Sequence, residues 1–275
     1  MGHDVAIVRS FLCQCRELLC EITQSGQTRF LNYGRLREAF ERSAERFQCE
    51  VEAGTEEQRT AVAERQLTPL ANEIGVAAQL LSCETCITVE YEPTPSQGNE
   101  RIDFRVELCN DKTVLVDTKT IQPALIDGGA ACKSVKCLRG RIELVYEGEG
   151  ASQMLHDHDA ARRTMGKYAH ELEEKRTNYP LANYAGLVLC GDDSQWHWSH
   201  LEDFSDFYFG GRHRDDDGHK TPIETTKSPK RNIDFFCYVG RPVSRVQPRC
   251  IRVFSRFGVF GDLPTILRHI AGQQQ

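Results

Sequence analysis

Two short segments with alternating apolar residues, joined by a polar loop, constrain the fold of this chain most strongly. Residues 102–108 read Ile-Asp-Phe-Arg-Val-Glu-Leu, with apolar side chains at the even positions and charged side chains at the odd positions. Residues 113–120 read Thr-Val-Leu-Val-Asp-Thr-Lys-Thr, and positions 114 and 116 are again apolar. Because successive side chains of a strand point to opposite faces, we predict two strands whose even positions line a core.

The parity of this pattern places three charged residues on one face. Residues that lie opposite each other in an antiparallel hairpin point to the same side of the sheet. If the even positions of both strands face the core, Asp103, Asp117 and Lys119 share the other face. Such a pairing requires an odd number of loop residues around Asn110 and Asp111, and a three-residue loop is among the favoured lengths. We therefore expect two carboxylates and an amine to lie together.

This trio of charged side chains is suited to holding a divalent cation. Two facing carboxylates repel each other, and burying them without compensation is costly. A bound Mg²⁺ removes that cost, polarises a phosphate and lowers the pKa of a bound water, while a lysine nearby orients the water or stabilises the transition state. The alternative is a surface hairpin with an ordinary Asp–Lys ion pair, since an isolated Asp-x-Lys tripeptide is common by chance.

The order and spacing of these residues resemble the core of the PD-(D/E)XK nuclease superfamily. The resemblance covers about residues 60–190 and is greatest for the RecB-like branch, which has a Val-Asp-Tyr-Lys-Thr strand where this chain has Val-Asp-Thr-Lys-Thr. It implies an α/β fold of the restriction-endonuclease type, with a mixed central sheet flanked by helices. It also implies a hydrolase of nucleic acid that depends on Mg²⁺, with Mn²⁺ as a substitute. The chain departs from the common motif at Ile102, where many members have proline, and at Asp117, where many have glutamate.

The resemblance also implies a role for individual residues. The active site would consist of the metal ligands Asp103, Asp117 and Glu73, the Thr118 carbonyl as a further ligand, and Lys119 as the catalytic lysine. Many members bring a glutamate from the helix that precedes the sheet, and Glu73 is our first candidate for it. Glu64 is the second candidate, and an ordinary solvated helical glutamate is the alternative for both.

Basic residues close to the site in sequence are candidates for contacting the substrate. Phosphate contacts are expected from Lys133, Lys136, Arg139 and Arg141. Gln122, three residues after Lys119, could contact the substrate or a metal-bound water. Arg162, Arg163 and Lys167 form another candidate cluster, for which a solvated helix face is the alternative. The formal net charge of −6 neither indicates nor excludes nucleic acid as the partner, because the pocket of a nuclease is itself acidic. The expected partner is nucleic acid, with DNA favoured, and paired cuts on a duplex would favour a homodimer.

The length of 275 residues and the 40% of hydrophobic residues suit one large domain, or a core with two appendages. We predict an N-terminal helical arm over residues 1–54, a nuclease core over 55–203 and a C-terminal extension over 204–275 with a mobile loop at 210–232. Helices are expected at about 5–21, 33–50, 55–68, 70–81, 152–176 and 263–270. Strands are expected at about 86–92, 102–108, 113–121, 141–146, 184–190, 235–239 and 250–254.

The twelve cysteines do not form the pattern of a secreted disulfide framework. The start of the chain has no signal-peptide pattern, and no segment approaches the roughly 18 apolar residues of a membrane helix. We therefore predict no membrane association and a reducing, cytoplasmic location.

One alternative function is a structural zinc site at Cys83 and Cys86 with Cys132 and Cys137, or with His156 and His158. Another is a non-catalytic nucleic-acid-binding or assembly module on the same fold.

Overall fold

A mixed β-sheet with helices packed on both faces forms the frame of the protein. The computed structural model describes residues 2–25, 28–53, 67–121, 131–138, 141–147, 158–191, 198–210, 212–214, 220–222, 232–240 and 250–273. Parallel and antiparallel pairs are both present in the sheet. The α/β class and the mixed sheet expected from the sequence are therefore confirmed.

The main sheet contains eight of the described strands. In chain order the strands are β1 (Phe30–Leu31), β2 (Cys86–Tyr91), β3 (Phe104–Leu108), β4 (Thr113–Thr120), β5 (Ala131–Leu138), β6 (Arg141–Glu147), β7 (Tyr184–Gly191), β8 (Arg212–Arg214), β9 (Lys220–Pro222), β10 (Phe235–Gly240), β11 (Cys250–Ser255) and β12 (Gly258–Phe260). Their order across the main sheet is β1-β2-β3-β4-β7-β10-β11-β12, and β5-β6 and β8-β9 form two separate two-stranded sheets. β4 lies inside the main sheet, antiparallel to β3 and parallel to β7.

Six helices lie within the described residues. They are α1 (Gly2–Ser25), α2 (Tyr33–Ala53), α3 (Thr68–Leu81), α4 (His158–Arg176), α5 (Trp198–Gly210) and α6 (Leu263–Gly272). Pro69 lies in the first turn of α3, where its missing N–H costs nothing. The side chain of Asp262 caps α6 by accepting a hydrogen bond from the Thr265 N–H at 2.6 Å.

Each face of the sheet carries its own hydrophobic core. The first core joins one face to α1, α2, α3 and α6, and it contains Phe104, Val106, Val114 and Val116. The second core joins the other face to α4 and α5, and it contains Leu115, Leu187 and Leu189. β4 is thus buried on both faces, whereas the sequence pattern predicted only one buried face.

The β3–β4 hairpin has the register that the parity argument requires. Phe104 lies opposite Val116 and Glu107 opposite Thr113, so paired residue numbers have an even sum. The Leu108 N–H donates to the Lys112 carbonyl at 2.9 Å, which leaves a three-residue loop over 109–111. Asp111 has a φ of 58°, the left-handed conformation that closes such loops and that aspartate tolerates. The predicted hairpin and its loop length are confirmed.

The sheet and the first core continue across both predicted domain boundaries. α1 and α2 contribute Leu12, Leu36 and Phe40 to the first core, because their apolar faces pack against the sheet and α3. After the second boundary, β10, β11 and β12 extend the main sheet. α1 and α2 of the predicted arm and β10, β11 and β12 of the predicted extension therefore share a core or a sheet with elements of the predicted nuclease core.

β5 and the β8–β9 hairpin lie where the sequence pattern indicated no strand. β5 pairs antiparallel with β6, which corresponds to the strand predicted at 141–146. Within the predicted mobile loop at 210–232, β8 and β9 pair antiparallel, with His213 opposite Thr221. β8 and β9 have three residues each, and β5 (Ala-Cys-Lys-Ser-Val-Lys-Cys-Leu) lacks the regular apolar and charged alternation of β3, which is why the sequence did not indicate these strands.

Candidate active site

Asp103 and Asp117 face each other across neighbouring strands. Asp103 comes directly before β3, and the register that pairs Phe104 with Val116 brings it opposite Asp117. Asp117 has no exposed surface, and Asp103 is half-buried. The Thr118 N–H donates to Oδ2 of Asp103 at 2.6 Å, so the side chain of Asp103 continues the hydrogen bonding beyond the end of the backbone ladder. The two carboxylates share the face of the second core, as parity predicted.

The environment of Asp103 opposes a negative charge when no cation is present. Burial raises the pKa of its carboxyl group well above the ordinary value, and the charges of Asp117 and Glu73 raise it further. The hydrogen bond from the Thr118 N–H and the charge of Lys175 lower the pKa of Asp103, but they do not outweigh these causes. A cation at this position would remove the mutual repulsion of the carboxylates.

Lys119 lies on the same face of β4 as Asp117. Its Nζ is 3.2 Å from Oδ2 of Asp117 and 3.2 Å from Oε2 of Glu171, and it lies 5.8 Å from the centre of the Tyr168 ring. Burial lowers the pKa of Lys119, but the two carboxylates outweigh burial and the pKa is raised above its ordinary value. The amine is therefore held protonated and beside the carboxylate pair.

Lys175 completes the site, and the sequence reasoning did not identify it. Its Nζ lies 2.8 Å from Oδ1 of Asp117. Tyr168, Glu171 and Lys175 have the spacing of one helical face, which is a signal in the sequence. That signal does not reveal which strand the helical face would contact.

Glu73 approaches the carboxylate pair from α3, on the other side of the sheet. Its Oε2 accepts a hydrogen bond from the Tyr91 hydroxyl at 2.7 Å. Burial raises the pKa of Glu73 to about 7; the Tyr91 hydrogen bond lowers it, and the charges of Glu92 and Asp117 raise it. The neighbouring Asn72 donates to Oγ1 of Thr120 at 2.6 Å and so connects α3 to the end of β4. The structure thus brings Glu73 near the site that Asp103 and Asp117 form.

The candidate substrate-binding residues are only partly placed by the structure. Gln122, Arg139 and the second glutamate candidate, Glu64, lie outside the described residues. Lys133 and Lys136 belong to β5 and Arg141 to β6, in a two-stranded sheet separate from the one that carries the site. Their part in binding a substrate stays a prediction.

The donor atoms of the site have the chemistry that Mg²⁺ prefers, since all are oxygen atoms and several are carboxylates. Oδ2 of Asp117 is buried without a well-directed hydrogen bond, although Lys119 Nζ lies 3.2 Å away. In the part of the chain that the structure describes, no three Asp, Glu, His or Cys side chains are gathered at metal-binding distance. The carboxylates are therefore suitable for a hard cation, but two lysines hold Asp117 in this structure.

The structure describes only some of the candidate zinc ligands. Cys83 and Cys86 are both buried, and the carbonyls of both accept hydrogen bonds from Arg29. A hydrogen bond from Cys86 lowers the pKa of the Cys83 thiol to about 5, although burial opposes this shift. His156 lies outside the described residues, and the placed side chains include no group of ligands that could hold zinc.

Comparison of the chain with protein-family models, with curated proteins and with solved structures found no match. None of the described helices is both long enough and apolar enough to cross a membrane. Because no similar protein was found, the geometry of the site is the basis for any inference about its chemistry.

Proposed function

We propose that this protein is a Mg²⁺-dependent nuclease that hydrolyses phosphodiester bonds of nucleic acid, with DNA as the favoured substrate. One observation carries the proposal: Asp103 and Asp117 face each other in a buried site, and a protonated lysine lies beside Asp117 on β4. A buried pair of facing carboxylates is costly without a cation. A lysine next to such a pair is suited to stabilising the negative charge of a phosphoryl transition state.

Each residue of the site has a role in this proposal. Asp103 and Asp117 hold the ion, with the Thr118 carbonyl and Glu73 as further ligands, and Mn²⁺ takes the place of Mg²⁺. When bound, the ion supplies a Lewis acid that polarises the phosphate and acidifies a water molecule. Lys119 donates to the phosphate oxygen that gains charge, and its second carboxylate contact, at 3.2 Å, orients the amine.

The arrangement of the elements supports a restriction-endonuclease-like core. α3 precedes a meander of β2, β3 and β4, and α4 follows before β7 returns parallel to β4.

The proposal includes a reducing, cytoplasmic location, and each cysteine whose side chain the structure describes is a free thiol. It also includes a homodimer for paired cuts on a duplex.

A second candidate function is a non-catalytic nucleic-acid-binding or assembly module. The observation that favours it is the ion pair between Lys175 and Asp117, because a site that holds no metal would neutralise its buried carboxylate in this way. The two candidates differ in whether the protein turns over a substrate, and only the nuclease requires a divalent ion.

Cleavage should require Mg²⁺ or Mn²⁺. We expect purified protein to cut single- or double-stranded DNA in either metal, to cut nothing in excess EDTA, and to bind Ca²⁺ without efficient turnover. Ca²⁺ accepts longer and looser coordination and is the weaker Lewis acid at such a site. The measurement is product formation on labelled DNA and RNA, each single- and double-stranded, across the metals.

A preparation of Asp117→Asn, purified in parallel, controls for contaminating nucleases in this assay. Full cleavage in EDTA would contradict a metal mechanism. Binding of nucleic acid without cleavage in any metal would favour the non-catalytic module.

The predicted phosphate contacts are tested by a double substitution, Lys133→Ala with Lys136→Ala. We expect weaker binding of nucleic acid and a shallower dependence of affinity on salt, by about one phosphate contact per lysine. Equilibrium binding is measured at several salt concentrations. An unchanged salt slope would show that neither lysine contacts phosphate.

A further inference from the structure

The ammonium group of Lys175 forms an ion pair with one carboxylate oxygen of Asp117, the least exposed acidic residue of the site. It lies 2.8 Å from Oδ1 of Asp117, while Lys119 lies 3.2 Å from Oδ2. Asp117 has no exposed surface, and the side chain of Lys175 keeps 17% of its surface exposed. Each carboxylate oxygen of Asp117 thus has its own lysine beside it, and these lysines come from different layers of the fold.

The two lysines are not equivalent. Lys119 has a second carboxylate partner, Glu171, so it keeps a counter-charge when Asp117 turns to another cation. Lys175 reaches into the site from the last turn of α4, and it pairs with Oδ1, one of the two oxygens that Asp117 offers to a cation. A divalent ion and an ammonium group at one carboxylate oxygen repel each other strongly, since their charges would be only a few ångströms apart.

The end of α4 is held by contacts that do not involve the Lys175 side chain. The next residue, Arg176, forms an ion pair with Asp234 at 3.3 Å and donates to the Asn183 carbonyl at 3.2 Å. Asp234 also accepts a hydrogen bond from the Ala185 N–H at 2.9 Å, which ties this contact to β7. Withdrawal of the Lys175 ammonium group from Asp117 breaks none of these contacts at the helix end.

We propose that Lys175 is an internal counter-ion that competes with the metal for Asp117. Without metal, its ammonium group neutralises Asp117 and keeps the carboxylates in place. When a divalent ion binds, Lys175 leaves Oδ1, so it sets how tightly the site binds metal. This inference rests on the proposed metal dependence. It also explains why the described acidic side chains are close to one another yet not gathered at metal-binding distance.

Removal of the competitor should tighten metal binding. We expect Lys175→Met to bind Mn²⁺ at least about tenfold more tightly than the wild type, because the ion no longer displaces a bound charge. The conservative variant Lys175→Arg should bind about as the wild type does. Isothermal titration with Mn²⁺, in the absence of nucleic acid, measures these affinities without any need for turnover.

Lys167→Met is the matched control, because Lys167 lies on the same helix with 74% of its side chain exposed and is 3.9 Å from Glu171. It should leave Mn²⁺ affinity unchanged. If the wild type binds Mn²⁺ and Lys175→Met binds equally or more weakly, the competition is overturned while the proposed function stands. If neither protein binds Mn²⁺, the proposed function fails and this inference fails with it.

A second measurement on the wild type covers the case in which Lys175→Met does not fold. In protein labelled with ¹⁵N-lysine, the ammonium resonance of Lys175 should be protected from solvent in EDTA and should lose that protection at saturating Mg²⁺. Protection that persists at saturating Mg²⁺ would overturn the displacement. Loss of protection on addition of Mg²⁺, but not on addition of Na⁺ at equal ionic strength, would support it.

Discussion

Asp117→Asn is expected to lower the rate of cleavage by about 10⁴-fold or more, because the change removes the charge of the proposed central metal ligand. Asparagine has nearly the same shape, so the packing of β4 against both cores should be preserved. The affinity for nucleic acid should be unchanged or higher, since the substitution relieves repulsion between a carboxylate and the phosphates. Single-turnover cleavage measured beside equilibrium binding separates the two effects.

The same substitution has a cost in stability that must be measured with it. Loss of the carboxylate charge leaves Lys175 and Lys119 close together without their shared partner. Removing one partner of a fully buried ion pair costs about 3–5 kcal/mol, and the partial exposure of both lysines places this site below that range. Thermal unfolding therefore has to confirm that the variant is folded at the assay temperature.

Asp111→Asn is the matched control for Asp117→Asn. It makes the same chemical change in the same hairpin, at an exposed loop position whose φ of 58° asparagine also adopts readily. It should cleave as the wild type does. Wild-type cleavage by Asp117→Asn itself, in a folded preparation, would remove Asp117 from the mechanism.

Lys119→Met should lower turnover by about 10²- to 10⁴-fold and leave the affinity for nucleic acid nearly unchanged. The substitution keeps both carboxylates and fills most of the volume beside Tyr168, but it removes the proposed donor to the reacting phosphate. A group that acts in the transition state affects the rate of the chemical step more than it affects ground-state binding. Single-turnover rates and binding constants again provide the measurement.

Lys112→Met, in the β3–β4 loop region, controls for the general effect of removing a positive charge from this hairpin. It should change neither rate nor affinity greatly. Equal losses of rate and affinity in Lys119→Met would instead show that Lys119 binds the phosphate in the ground state.

The facing carboxylates were predictable from the sequence because strand periodicity is local. The alternation through residues 102–108 determined which side chains share a face, and the short polar loop limited the register. The resemblance implies Glu73 as a candidate through its position on the helix that precedes the sheet. Each of these inferences used only neighbouring residues or their order along the chain.

Lys175 and the second buried face of β4 depend on packing between distant segments. Leu115 gave a signal, since it places an apolar side chain on the face assigned to the charged residues. Its burial in the second core shows that α4 covers that face, and this covering helix carries Lys175. Periodicity indicates which residues of a helix lie together, but it contains no information on which surface the helix will cover.

The hydrogen bond from the Thr118 N–H to Asp103 gives this backbone amide an unusual dependence on the state of the site. Amides within a sheet exchange their hydrogen for deuterium only when the strand opens, because a backbone carbonyl holds each of them. The Thr118 amide is held by a carboxylate, at 2.6 Å, so its exchange also depends on where Asp103 points. The deuterium uptake of this one amide, relative to its neighbours on β4, thus reports ligand binding at Asp103 without a substrate or turnover.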